Sequence, residues 1–162
     1  MIDESLLKNT IDPDADSDRW DRFEAVSGRL SKEMEDYLPD DVNIDNLRTR
    51  LSDLFAIKFA NNYTLLEREC NIKKNTFQKV LKYQNGRNIT WTLLAKFCTG
   101  ARLSVAEASD LFMLIGEDLH SANRKDFLLV NILNTGQDIN ALDNDLMKYC
   151  KSFHESILNY DD

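Results

Sequence analysis

Residues 63–81 read Tyr63-Thr64-Leu65-Leu66-Glu67-Arg68-Glu69-Cys70-Asn71-Ile72-Lys73-Lys74-Asn75-Thr76-Phe77-Gln78-Lys79-Val80-Leu81. Leu66, Ile72, Phe77 and Val80 have the spacing that two short helices need to cross through a three- to four-residue turn and share one small core. Asn71 falls where that turn requires a residue tolerant of a left-handed backbone, and Asn is the usual choice after Gly. If the second helix, over 75–83, buries Phe77 and Val80, its opposite face presents Lys74, Asn75, Gln78, Lys79 and Lys82. These side chains suit a DNA groove: Asn and Gln pair with adenine edges, Lys with guanine or phosphate, and Thr76 with either kind of group. A helix in the major groove meets bases with its N-terminal residues, so Lys73, Lys74, Asn75, Thr76, Gln78 and Lys79 are expected at base edges and nearby phosphates. Lys82, Arg87 and the amides that open the next helix are expected on the backbone.

Charge is distributed to match. The chain has 162 residues and a net charge of −8, which on average disfavours a polyanionic partner. Residues 1–45 carry 14 acids and 5 bases, residues 46–102 carry 3 acids and 11 bases, and residues 103–162 carry 11 acids and 4 bases. The basic centre coincides with the helix pair, as an electrostatic footprint would. The acidic flanks are open to several readings: they neutralise the centre within the fold, or the N-terminal one folds back on it and competes with DNA, or it serves dimerisation or effector response and leaves the recognition face free.

Outward from the centre the signals are all helical. Four of the five glycines (Gly86, Gly100, Gly116 and Gly136) and the two prolines punctuate apolar segments, Gly28 falls inside one, and no run alternates in the manner of a strand. Residues 1–16 read as a loose start with a short helix at 4–9. Ser17 opens a helix to Leu38, ended by Pro39; its stripe of Trp20, Phe23, Leu30, Met34 and Tyr37 docks on the protein's own core or, less simply, forms a coiled-coil seam. After a link at 40–43, helices are expected over 45–61, 64–70, 75–83 and 90–98. Ser104-Val105-Ala106-Glu107 is a capping box opening another, which stops at Gly116. Two more start at Ser121 and Asp138, the last reaching as far as Ile157. The division expected is an acidic N-terminal helical extension (1–44), a DNA-binding domain (45–116) and a C-terminal helical extension packed on it (117–162).

Several of these pieces resemble the lambda-repressor/Cro (XRE) helix-turn-helix family of bacteria and phages. Ile72 to Val80 stands where that family has its turn and recognition helix. Asn85-Gly86-Arg87-Asn88-Ile89-Thr90-Trp91-Thr92-Leu93-Leu94-Ala95-Lys96-Phe97 is similar to its basic loop and fourth helix, and Leu103 to Ala108 to the cap of the fifth. The continuation through Leu114-Ile115-Gly116, Asp126 to Leu129 and Gln137 to Asp143 resembles a subgroup with two further C-terminal helices. The resemblance implies an all-α helix-turn-helix bundle, sequence-specific binding of double-stranded DNA, transcription regulation and, by default, a homodimer. Two positions depart from the pattern: Glu67 replaces a small residue in the first helix of the pair, and Tyr63 replaces the usual Gln. Glu67 either loosens the approach of the two helices or faces solvent.

Other function classes find little footing. There is no Gly-rich phosphate loop, nucleophile elbow, His-Glu-x-x-His or convergent carboxylate pair, so no enzymatic activity and no cofactor are expected. Cys70, Cys98 and Cys150 form no Cys-x-x-Cys pair and, with His120 and His154, suggest neither a disulfide framework nor a metal site; they are expected to be half-buried thiols. The acids are expected on exposed faces and caps. The absence of a long apolar stretch and of a signal-like N-terminus leads to the expectation of a soluble, cytoplasmic protein without a membrane partner. The rival function is a protein-interaction module on the same scaffold, antitoxin-like or phage-related, with the acidic N-terminal segment engaging a protein partner.

Overall fold

The computed structural model describes residues 2–12, 41–82, 89–119 and 122–159. The described chain is all-α, with helices α1 (Glu4–Leu7), α2 (Asp41–Phe59), α3 (Tyr63–Cys70), α4 (Lys74–Lys82), α5 (Trp91–Gly100), α6 (Val105–Met113), α7 (Arg124–Thr135) and α8 (Ile139–Tyr149). Among the described residues the only β feature is an isolated parallel bridge between Ile11 and Asn123. The helix expected over 17–38, the loop holding Gly86 and Arg87, and the expected start at Ser121 lie outside the described residues.

The helix starts follow local chemistry. Asn62 caps α3 by accepting from the amides of Thr64 and Leu65, Thr90 caps α5, Asn123 caps α7 and Asp138 caps α8. Ser104 and Glu107 form the capping box on α6, with both reciprocal hydrogen bonds present at 3.1 Å. α2 begins at Asp41, four residues earlier than expected, so the acidic link at 41–43 is helical and a domain boundary at 44 would cut a helix.

α5 organises the core. It packs against α3, α6, α7 and α8, and eight of its ten residues are buried, from Trp91 through Leu94 to Gly100. A helix apolar on nearly every side belongs at the centre of a bundle. Phe97 lies 5.8 Å from Phe77 of α4 with the rings stacked, and Phe77 lies 5.1 Å from Phe55 of α2. Aromatic pairs at these separations add about 1 kcal/mol each beyond the area they bury.

Gly100 allows this centre to form. A Cβ at that position would lie 2.5 Å from the Glu69 carbonyl oxygen and closer still to Cys70 Sγ, so the last turn of α5 and the last turn of α3 touch through a hydrogen. The sequence suggests a glycine that merely ends the helix. The glycine that ends a helix in the left-handed conformation is Gly136, the C-cap of α7 at φ 64°.

The two ends of the chain are tied together. Ile2 and Leu7 are buried, the amide of Ile11 donates to the Ala122 carbonyl at 2.7 Å, and the Arg124 amide donates back to Ile11 at 2.9 Å. The Arg124 guanidinium donates to Thr10 Oγ1 at 2.9 Å and to the carbonyl of Tyr149 at 3.3 Å. Asp12, also buried, accepts from the Lys151 amide at 2.9 Å. The start at 2–12 is therefore a docked arm, because its few apolar groups are supplemented by backbone pairing with α7. The last helix ends at Tyr149, with Cys150 as an extended C-cap, and residues 151–159 continue as a non-helical strap.

Candidate nucleic-acid interface

The α3–α4 pair is joined by Asn71, Ile72 and Lys73. Asn71 adopts φ 56° and ψ 39°, the left-handed conformation that the sequence suggests, and its amide donates to the Glu67 carbonyl to close the helix. Its side-chain Nδ2 donates to the carbonyl of Leu158 at 2.8 Å, an anchor for the C-terminal strap that no local pattern announces. Asn71→Ala should cost about 2 kcal/mol in denaturant unfolding, combining the left-handed penalty with one lost hydrogen bond. Asn71→Gly should cost less than half of that; equal losses would mean that the backbone conformation is not the cause.

α4 is fixed from behind by Phe77 and Val80, which are 1% exposed. Arg48 of α2 donates from Nε to the Val80 carbonyl at 3.2 Å, holding the C-terminal half of the helix. Lys74, Asn75, Lys79 and Lys82 face solvent, while Lys73, Thr76 and Gln78 are half-buried at the rim. Seven of the eight residues singled out from sequence thus lie in or beside α4, and the eighth, Arg87, lies outside the described residues. Between Glu69 and Glu107 the chain contains no acidic residue. The outer face of α4 therefore offers ammonium and carboxamide groups without a carboxylate on its own helix, a donor set able to hydrogen-bond base edges and phosphates.

Both departures from the family pattern have a structural outcome. Glu67 faces solvent. The small residue that lets α3 come close to a neighbour is Gly100, on α5. Tyr63 packs its ring 4.8 Å from Phe55 and lies under the Lys74 ammonium at 5.2 Å, a cation–π contact that holds this lysine toward the start of α3.

Lys96 has no counterpart in the sequence reading. It is only 8% exposed, its Nζ donates to the Ile157 carbonyl at 3.1 Å, and burial pushes its pKa down against the opposing pull of Cys70 and Asp143. The cysteines are fully buried rather than half-buried, and burial pushes the thiols of Cys70 and Cys98 far up, which makes them inert packing groups. Three aspartates expected on exposed faces or in turns are buried and bonded: Asp12 as above, Asp126 to Trp91 Nε1 at 2.8 Å, and Asp143 to Ser156 Oγ at 2.7 Å and the Ile157 amide at 2.8 Å. Among the described residues no group of three His, Cys, Asp or Glu side chains could hold a metal ion, and no helix is long and apolar enough to cross a membrane. In comparisons of the chain with protein-family models, curated proteins and solved structures, nothing matches.

Proposed function

We propose that this chain is a sequence-specific double-stranded DNA-binding protein of the lambda-repressor/Cro helix-turn-helix kind, a cytoplasmic transcriptional regulator that reads the major groove with α4. The observation that carries the reading is the two-sided character of α4: Phe77 and Val80 buried, Lys74, Asn75, Lys79 and Lys82 exposed, in a stretch of chain free of acids. The reading includes a homodimer with half-sites about 34 Å apart, the default arrangement for regulators of this kind. No enzymatic step and no cofactor enter this reading.

The test is fluorescence anisotropy of the full-length chain with a labelled random-sequence duplex pool over a range of salt. Three exposed lysines on α4 should give a log–log slope of about −3, with dissociation constants of about 10⁻⁴ to 10⁻⁶ M. Absence of binding at low salt would favour the second reading, a protein-interaction module, whose support is the acidic balance of residues 1–45 and 103–162. Competition between the acidic segment and DNA is best tested by neutralising acids within 13–40, because removing the whole N-terminus would also strip the docked arm from α7 and α8.

A further inference from the structure

The backbone of Ile157 is gripped from both sides. Asp143 of α8 accepts from its amide at 2.8 Å, and Lys96 of α5 donates to its carbonyl at 3.1 Å. Both side chains are buried, and the carboxylate and the ammonium also act on one another. Buried charges are tolerated where hydrogen bonds satisfy them, and here the strap supplies those bonds. Ser156 adds to the grip, its hydroxyl donating to Asp143 at 2.7 Å and accepting from the Leu158 amide at 3.0 Å. The Leu158 carbonyl then meets Asn71 Nδ2 at the α3–α4 turn. With 156–158 fixed in this way, Asn159 is delivered to a cleft that it shares with Thr76, in the first turn of α4, and with Thr92 of α5. Asn159 is exposed, and its carboxamide makes no hydrogen bond among the described residues. Glu155, the acid of the strap, lines the neighbouring cleft and not this one.

We propose that Asn159 is a further DNA-contacting residue, one that hydrogen-bonds the sugar–phosphate backbone beside the groove entered by α4. This rests on the DNA-binding reading of α4. A recognition helix meets base edges with its N-terminal residues, so the duplex backbone flanking those bases lies nearest the turn and whatever is anchored to it. Asn is among the side chains that contact phosphate oxygens and so fix the register of a protein on the duplex. Lys96 takes no part in the contact, being committed to Ile157. A side chain on a strap already held by buried partners loses less freedom on binding than one on a loose chain end, so the grip of Asp143 is what makes the contact effective.

The experiment is an anisotropy titration of the full-length chain and its Asn159→Ala variant with the random-sequence duplex pool over a range of salt. Affinity should fall about fivefold, the worth of one net hydrogen bond. The log–log salt slope should stay unchanged, because no cation is lost. Ser156→Ala loosens the grip and should lower affinity about twofold in the parent and not at all in the Asn159→Ala background, a dependence that a merely structural role for Ser156 would not produce. Thermal unfolding verifies that the variants fold; Asn159→Ala, at an exposed position, stands as the test by itself should Ser156→Ala not. Duplex binding that Lys79→Glu weakens and Asn159→Ala leaves unchanged overturns this proposal and keeps α4 as the reading helix. A Ser156→Ala loss that persists without Asn159 overturns the part given to the grip. A parent chain that binds no duplex at low salt overturns this proposal together with the DNA-binding reading.

Discussion

Gly100→Ala should lower stability by about 3 kcal/mol, at the upper end of what overpacking a core costs. For a chain of this size that is a fall of roughly 6–12 °C in the thermal midpoint. The added methyl would sit 2.5 Å from the Glu69 carbonyl oxygen and 2.7 Å from its carbon, both backbone atoms of α3, as well as against Cys70 Sγ. Relief would require α3 to move away from α5, and α3 carries the turn into α4. Alanine's better helix propensity returns at most about 1 kcal/mol, which does not offset the collision. The double variant Gly100→Ala/Cys70→Ala separates the contributions: it removes the sulfur and leaves the carbonyl, so it should recover only part of the loss. Full recovery would show that the side chain alone sets the spacing, and an unchanged midpoint in the single variant would mean that the two helices are not in this close approach.

What could be read in advance was what depends on near neighbours. Asn71 in its left-handed conformation, the Ser104–Glu107 box and the division of α4 into a face with Phe77 and Val80 and a face with lysines all follow from spacings of a few residues, and they hold in the structure. What could not be read depends on separations of tens of residues. Asn71 meets Leu158, Lys96 meets Ile157, Arg124 meets Thr10, and Asp126 meets Trp91. A lysine in a basic stretch has the same local signature whether it faces solvent, as Lys79 does, or is buried, as Lys96 is. Gly100 is a case of the same kind: a glycine at a helix end has one appearance in sequence and two possible reasons, termination or close approach. The buried aspartates were hidden for a related reason, since burial of a carboxylate is tolerable only when a distant partner satisfies it.

That distinction selects the variant that tests the interface. Lys79→Glu should weaken duplex binding by about 30-fold, roughly 2 kcal/mol, because it replaces a cation on the outward face of α4 with a charge that repels phosphate. Lys79 faces solvent, so folding should be unaffected to within about 0.5 kcal/mol, which thermal unfolding would verify. The comparison variant is Lys58→Glu, on the exposed side of α2, which changes net charge by the same amount at a place that feels Glu107. If net charge alone governed binding, the two variants would lose affinity equally. If α4 enters the groove, Lys79→Glu should lose far more, and its salt slope should become shallower by about one contact. An unchanged affinity in Lys79→Glu beside measurable binding of the parent would put the DNA on another face of the molecule and return α4 to the role of a packed helix with a solvated side.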